Sequence, residues 1–336
     1  MAGKNLTIRD IAKLAGVSNA SVSRALTGSC GISEKTRKHV LKICERERYT
    51  ANSIARSLAV RKTRLLGCIV GSVDNPYMGQ LACQIELYAR HKGYNLILCN
   101  STNKEEHEVQ LMELLLGRQV DGIIITPTSR ASYTALEHFL ARIPVVVIGN
   151  TITNLRYNHV TVDNFKGTFL GAEYLVSLGH RSIAYVGYRS ESYTHRLRAQ
   201  GYQSVCETHG VKSLLIENKE AASSIERGYA LAKELFSGPF PYTAIFAATD
   251  TTALGVMQAA DEAGIAIPGD LSLIGFDNIS YCALPRINLT TIEQPFSAIA
   301  ASAVNMLIGT IESPQEGYAQ MVLEPSLIKR GTCAAV

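Results

Sequence analysis

Apolar residues near the start of the chain recur at helical spacing. Ile8, Ile11, Ala12 and Ala15 stand at i, i+3, i+4 and i+7, one stripe of an amphipathic helix. Thr7 precedes them as an N-cap, and Asp10 three residues later gives a capping-box pattern. Gly16 breaks the helix and Val17 begins a turn. Ser18 caps a second helix running to about Leu26, with Val22, Ala25 and Leu26 inward and Gly28 at its end. Ser33 caps a third, in which Val40 and Ile43 face the core. Two short helices joined by a tight glycine-containing turn form a helix-turn-helix, a unit whose second helix enters the major groove of DNA.

From Leu65 the pattern changes. Apolar β-type runs at 66–70, 95–99, 122–126, 145–148, 182–186, 244–247 and 272–275 alternate with helical segments at 80–92, 105–117, 167–177, 196–208, 222–236 and 253–263. Repeated β-α units predict parallel sheets covered by helices on both faces. Some ten strands exceed one lobe of ordinary size, so two lobes with a cleft between them are expected. The fold class is thus an all-α headpiece followed by an α/β two-lobed body.

Charge sharpens this division. Residues 1–64 hold 14 Lys/Arg against 4 Asp/Glu, a net of +10; the whole chain is +4, so the remainder carries −6. A basic head on an acidic body is the electrostatic footprint of a nucleic-acid binder. A solvated basic tail would lack the apolar periodicity seen here. The outward positions of the second helix are Asn19, Ala20, Ser21 and Arg24. Arg can grip guanine through two hydrogen bonds, Asn can grip adenine, and Ala can touch a thymine methyl. Each alone reads equally as a surface residue; their joint placement on one helix favours base reading. Thr7, Ser18, Ser33, Thr36 and Arg37 are the candidates for the DNA backbone.

The run Thr7-Ile8-Arg9-Asp10-Ile11-Ala12-Lys13-Leu14-Ala15-Gly16-Val17-Ser18, then Ser21-Val22-Ser23-Arg24-Ala25-Leu26, resembles the headpiece of the LacI/GalR family of repressors. Ser33-Glu34-Lys35-Thr36-Arg37 and Tyr49 continue the likeness. The resemblance implies base reading by Asn19, Ala20 and Arg24. Asn52-Ser53-Ile54-Ala55-Arg56-Ser57-Leu58-Ala59 resembles the family's hinge helix, which folds on DNA. It implies a minor-groove role for Asn52, Ala55, Arg56 and Leu58, with Leu58 the wedge between base steps. Read unaided, Leu58 is equally a core residue of a short helix. Ala51 stands where the family has Pro, which frees the hinge backbone, and Arg48 where it has Gly, which removes a helix cap.

The body resembles the family's periplasmic-binding-protein-like sensor from end to end. Asp74-Asn75-Pro76-Tyr77, Val162-Asp163-Asn164, Leu178-Gly179-His180, Arg198-Ala199-Gln200-Gly201-Tyr202, Thr249-Asp250, Gly275-Phe276-Asp277-Asn278 and Gln294-Pro295 carry the likeness. It implies a headpiece at 1–50, a hinge helix and linker at 51–64, and an effector-binding and dimerisation domain at 65–336. The N-lobe takes about 65–162 and 294–322, the C-lobe about 163–293 and 323–336. Ligands of such sheets sit at the C-terminal ends of strands. The effector candidates are Asn75, Tyr77, Asp163, Asn164, Arg198, Thr249, Asp250 and Asp277. Arg198 offers a fork for two acceptors, Asp277 accepts from hydroxyls, and a sugar ring would stack on Tyr77. Thr249 stands where the family commonly has Asn. Asn75-Pro76 also reads as turn chemistry, Asp277 as a cap, and Asp163 as a structural residue of the lobe crossing.

No nucleophile elbow, Walker loop or dinucleotide fingerprint is present, so no enzyme activity is expected. His180 reads as structural. The eight cysteines form no C-x-x-C pair, so neither a metal site nor a cofactor is expected. No apolar run approaches the ~18 residues of a membrane span and no secretory signal stands at the N-terminus, which predicts a cytoplasmic protein. The expected partners are double-stranded operator DNA, a second copy of the chain (a homodimer, or a tetramer) and a sugar-like effector. The expected function is repression of carbohydrate-metabolism genes from a pseudo-palindromic operator. The alternatives are a global regulator with a corepressor protein and a repressor dependent on a purine-like corepressor. A transporter's binding protein is opposed by the basic head.

Overall fold

In a computed structural model of the chain, residues 6–27, 30–47, 49, 62–128, 136–149, 157–190, 192–219, 224–313 and 317–336 are described. The chain divides into two units, Met1–Thr63 and Arg64–Val336. The hinge candidates Asn52, Ala55, Arg56 and Leu58, with Ala51, lie outside the described residues.

The first unit holds α1 (Ile8–Ala15), α2 (Asn19–Thr27) and α3 (Glu34–Arg46). The Asp10 carboxylate accepts from the Thr7 N–H at 2.8 Å and from its hydroxyl at 2.7 Å, fixing the start of α1. Gly16 ends the helix at φ +64°, and the Val17 N–H returns to the Ala12 carbonyl at 3.0 Å. Nothing lies within 4 Å of a Cβ built there, so it is the left-handed backbone that calls for glycine. Ile11, Ala12, Ala15, Val22, Ala25, Val40, Ile43 and Cys44 form a core, with Leu26 packed at its edge. α3 ends without a left-handed cap: the Glu47 N–H bonds the Ile43 carbonyl at 2.9 Å and the Tyr49 N–H bonds that of Cys44 at 2.8 Å.

The second unit contains two six-stranded sheets. The first is built from β1 (Leu65–Val70), β2 (Asn95–Asn100), β3 (Gly122–Ile125), β4 (Val145–Ile148), β5 (Asn158–Val162) and β11 (Gln320–Leu323), in the order β11-β5-β4-β3-β1-β2, all parallel. The second has β6 (Ser182–Tyr188), β7 (Lys212–Glu217), β8 (Ala244–Ala247), β9 (Ser272–Asp277), β10 (Thr290–Glu293) and β12 (Ser326–Ile328), in the order β12-β10-β9-β8-β6-β7.

Period-2 alternation assigns each strand to two cores. On β1, Leu66, Cys68 and Val70 face α4 (Pro76–His91) and α10 (Phe296–Glu312), while Ile69 faces α5 (Glu105–Gly117). On β6, Ile183 and Tyr185 join the core with α6 (Asn164–Ser177) and α7 (Tyr193–His209); Ala184 and Val186 join that with α8 (Ile225–Phe236) and α9 (Asp250–Glu262). Burial on both faces explains why these strands read as continuous apolar runs.

β12 departs from the parallel expectation and pairs antiparallel with β10. β11 runs parallel to β5, toward the end where Val162 lines a cavity between the sheets. Only Glu324 and Pro325 separate it from β12. No crossover helix fits in that link, so β12 leaves the cavity end in the opposite direction.

Candidate functional site

Two places gather the chemistry-bearing residues, one in each unit. In the first, Ser18 caps α2 by accepting from the Ser21 N–H at 3.1 Å. Asn19, Ala20 and Arg24 project from α2 and are exposed. Ser21 is half-buried, its hydroxyl 3.0 Å from that of Ser18, so it is engaged within the cap. Ser33 caps α3 through the Thr36 N–H at 3.1 Å, and the two hydroxyls lie 2.8 Å apart. Thr7 is exposed and Thr36 and Arg37 are half-buried. Exposed Arg9, Lys13, Lys35, Lys38 and Lys42 surround these positions in sequence.

In the second unit, the C-terminal ends of both sheets open on a cavity of about 650 Å³. That volume falls in the ~300–1,000 Å³ range of small-molecule sites. Asn75, Tyr77, Asn164, Arg198, Thr249 and Asp277 line it. Arg198 is its centre. Its Nε donates to Asn164 Oδ1 at 2.8 Å, its Nη1 to the Ala248 carbonyl at 2.7 Å, and the guanidinium lies 3.6 Å from the centroid of the Phe276 ring. The sequence arranges this approach locally. Gly201, one turn after Arg198, lets α7 press on α6, since a Cβ there would stand 2.3 Å from the Phe165 carbonyl oxygen.

Asp277 is buried at the end of β9, 3.6 Å from Arg198 Nη2, and accepts from Gln294 Nε2 at 2.6 Å. Burial outweighs the Arg198 guanidinium and, with Asp250 nearby, raises its carboxyl to about 7. The long contact explains the outcome: the shorter Arg198 bonds go to Asn164 and Ala248. Tyr77 packs its ring on Phe296 at 5.2 Å between centroids and donates its hydroxyl to Gln294 Oε1 at 3.1 Å. It touches the cores of both sheets. Asn75 caps α4 by accepting from the Tyr77 N–H at 2.9 Å, and Thr249 caps α9 by accepting from the Thr252 N–H at 3.2 Å.

Two expected effector residues do not line the cavity. Asp163 accepts from the Lys166 N–H at 2.9 Å, the cap of α6. Asp250 is fully buried and accepts from the Thr291 hydroxyl at 2.5 Å and the Ile279 N–H at 2.9 Å. Its site is closed over by Gly275, where a Cβ would meet the carboxylate. Each carboxylate is used in holding backbone.

Sequence reasoning missed Arg189, Ser192, Thr194 and His195, and left Gln294 without a role; all line the cavity. Thr194 and His195 precede Arg198 by four and three residues, which puts them on its helix face. Arg189 directly follows β6, at the strand end where ligands gather. His195 is 7% exposed and its Nδ1 has no hydrogen-bond partner. Burial and the cations Arg198 and Arg189 hold its pKa well below the usual value, so the ring is neutral. His180, outside the cavity, bonds the Thr243 hydroxyl at 2.8 Å and the Ala334 carbonyl at 3.2 Å, tying the C-terminal segment to the second sheet. Among the described residues, no cluster of His, Cys, Asp or Glu could hold a metal, and no helix is long and apolar enough to cross a membrane.

Known proteins resemble this chain in sequence and fold. Residues 7–52 match the model of the bacterial regulatory proteins, lacI family, and residues 172–333 that of the periplasmic binding protein-like domain. The chain is 34% identical over 304 residues to catabolite control protein A of Priestia megaterium, covering 90% of this chain and 92% of that protein. It is 30% identical over 324 residues to the ribose operon repressor of Haemophilus influenzae, covering 96% and 97%. A crystal structure of the lac repressor dimer bound to operator and the anti-inducer ONPF is similar with a TM-score of 0.89 at 27% identity, covering 99% of this chain and all of that one.

Proposed function

Because the chain belongs to the LacI family of bacterial regulatory proteins, we propose that it represses transcription by binding operator DNA through α2 and answers a small molecule held between its two sheets. The observation that carries this reading is the coexistence, in one chain, of a capped helix-turn-helix presenting Asn19, Ala20 and Arg24 and a ligand-sized cavity organised around Arg198. Arg24 would grip guanine, Asn19 adenine, and Ala20 a thymine methyl. Thr7, Ser18, Ser33, Thr36 and Arg37 would settle the headpiece on phosphates.

Two copies would pair through the body and place two headpieces on a near-palindromic operator. Asn52, Ala55, Arg56 and Leu58 would follow the minor groove at its centre, with Leu58 wedged between base steps. A sugar-like effector fits the cavity's mixture of hydrogen-bonding groups and apolar wall, and the ribose operon repressor among its relatives is named for a sugar. By contacting both sheets the effector favours one relative setting of the lobes, a coupling typically worth ~1–3 kcal/mol. The regulated genes would serve carbohydrate metabolism, in the cytoplasm, and no catalytic step is involved.

A mobility-shift assay of the full chain on a selected operator tests this. Arg24→Ala is expected to cost about 1–3 kcal/mol and to relax preference at one base position. An operator profile identical to that of the parent would overturn the assignment.

A further inference from the structure

Among the described residues, the charges of the cavity lining do not balance, and the imbalance sits at one spot. Asp277 is the carboxylate facing Arg198. The remaining carboxylates of the lining, Asp74 and Glu226, are exposed at its rim. Arg189 also lines the cavity and is removed from solvent enough for burial to lower its pKa, and its guanidinium has no hydrogen-bond or carboxylate partner among the described residues. A half-buried guanidinium without an anion is costly unless a ligand supplies one.

His195 adds a second, independent sign of a missing group. It sits in the first turn of α7, beside Ser192 and Thr194 on the same wall. Its Nδ1 has no hydrogen-bond partner, and burial with the Arg198 and Arg189 cations keeps the ring neutral. A buried, unpartnered ring nitrogen on a cavity wall calls for a hydrogen-bonding group such as a sugar hydroxyl, which can donate or accept. The start of a 17-residue helix lies at the same place, where its dipole favours negative charge.

We propose that the effector is an anionic polyol, a sugar carrying a phosphate or carboxylate, whose charge lies against Arg189 and whose neighbouring hydroxyl hydrogen-bonds His195 Nδ1. This rests on the small-molecule reading of the cavity and narrows it to one chemical class. Arg189 and His195 are specificity-determining residues, and Arg198 with Asp277 holds the remaining hydroxyls.

The test is calorimetric titration and thermal shift of the full chain with glucose, glucose 6-phosphate and glucuronate, ribose and ribose 5-phosphate, and inorganic phosphate. At least one anionic sugar should bind at least ~10-fold more tightly than its neutral parent, the value of a charge-assisted bond. Whether the phosphorylated or the carboxylated sugar leads identifies the anion. Arg189→Met should erase that preference, while Arg189→Lys, which keeps the charge, should retain part of it. His195→Leu should weaken the anionic sugar by ~2–10-fold, with partial recovery in His195→Asn, which restores a hydrogen-bonding group. If the neutral sugars bind as well as the anionic ones, and equally well in Arg189→Met, the anion proposal falls and the effector reading stands. If inorganic phosphate binds as tightly as the sugar phosphates, the polyol half is wrong. If none of the probes binds, this proposal falls together with the reading beneath it.

Discussion

The two walls of the cavity are built from different chemistry. The wall of the first sheet is neutral inside its rim: Ser72, Asn75, Tyr77, Thr126, Thr128 and Ile148. The wall of the second sheet carries Arg189, His195, Arg198 and Asp277, three of them buried or nearly so. The difference lies in what stands behind each wall. Behind the second are a network of buried hydrogen bonds, Arg198 to Asn164 and Ala248, Asp277 to Gln294, and Asp250 to Thr291 and Ile279. Behind the first is an apolar core with sparser polar links, the Tyr77 hydroxyl on Gln294 and the buried Glu108 carboxylate accepting from the Thr128 N–H at 2.9 Å. A ligand would therefore find its directional partners preset on one side and a yielding surface on the other. Fixed charge on one wall and apolar closure from the other is a physical basis for a bistable cleft.

Mutation can break this contrast at three depths. The largest effect is expected at Asp250, which does not line the cavity but holds the second wall together. Asp250→Ala strands the Thr291 hydroxyl and the Ile279 N–H, at a cost of about 2–5 kcal/mol in urea denaturation. A loss under ~1 kcal/mol would mean that the wall does not depend on this carboxylate.

Asp277 comes next, through pH. Its folded pKa of about 7 lies above its ordinary value of 3.8. The native state therefore holds a proton that the unfolded chain gives up as pH rises past ~4. The stability tied to that proton is complete below the unfolded pKa and is lost as pH climbs to about 7. The slope approaches ~1.4 kcal/mol per pH unit within that window. The neutral, buried His159, His180 and His195 act in the opposite direction, losing stability as pH falls through the unfolded histidine pKa. The difference between the parent and Asp277→Asn isolates the carboxyl, and that difference should change with pH between ~4 and ~7. A difference independent of pH would show that Asp277 is charged in the fold throughout. The smallest effect belongs to the first wall: Tyr77→Phe removes one hydrogen bond to Gln294 and should cost ~0.5–1.5 kcal/mol in the same denaturation assay.

Local pattern made most of the fold legible. The stripe Ile8, Ile11, Ala12, Ala15 and the break at Gly16 are consequences of backbone periodicity and of glycine's freedom at positive φ, and both act within one turn of chain. The long apolar runs of β1, β4 and β8 carry parallel, doubly covered sheets for the same kind of reason. The reversed direction of β12 was not legible, because it follows from where β11 ends in space. Within the cavity, strand-end position and motif singled out Arg198 and Asp277 in the sequence. Asp163 and Asp250 stayed among the candidates, Asp163 already with a structural reading at the lobe crossing, since a carboxylate that caps a helix or holds a buried loop has the same letter as one that faces a ligand. Arg189 and His195 escaped for the complementary reason: no local motif marks them, and their candidacy rests on which described residues fail to reach their side chains.

The sequence by itself thus determined the periodic elements, the basic head on an acidic body, and the outward placement of Asn19, Ala20 and Arg24, because spacing and charge are properties of the chain; it also set Ser21 outward, which the structure half-buries against the Ser18 cap. Only the tertiary structure decided which polar groups are already satisfied. That is a matter of three-dimensional proximity between residues as distant as Asp250 and Thr291 or Tyr77 and Gln294. It left His195 Nδ1 and Arg189 on a cavity wall, a buried ring nitrogen and a guanidinium without a partner among the described residues.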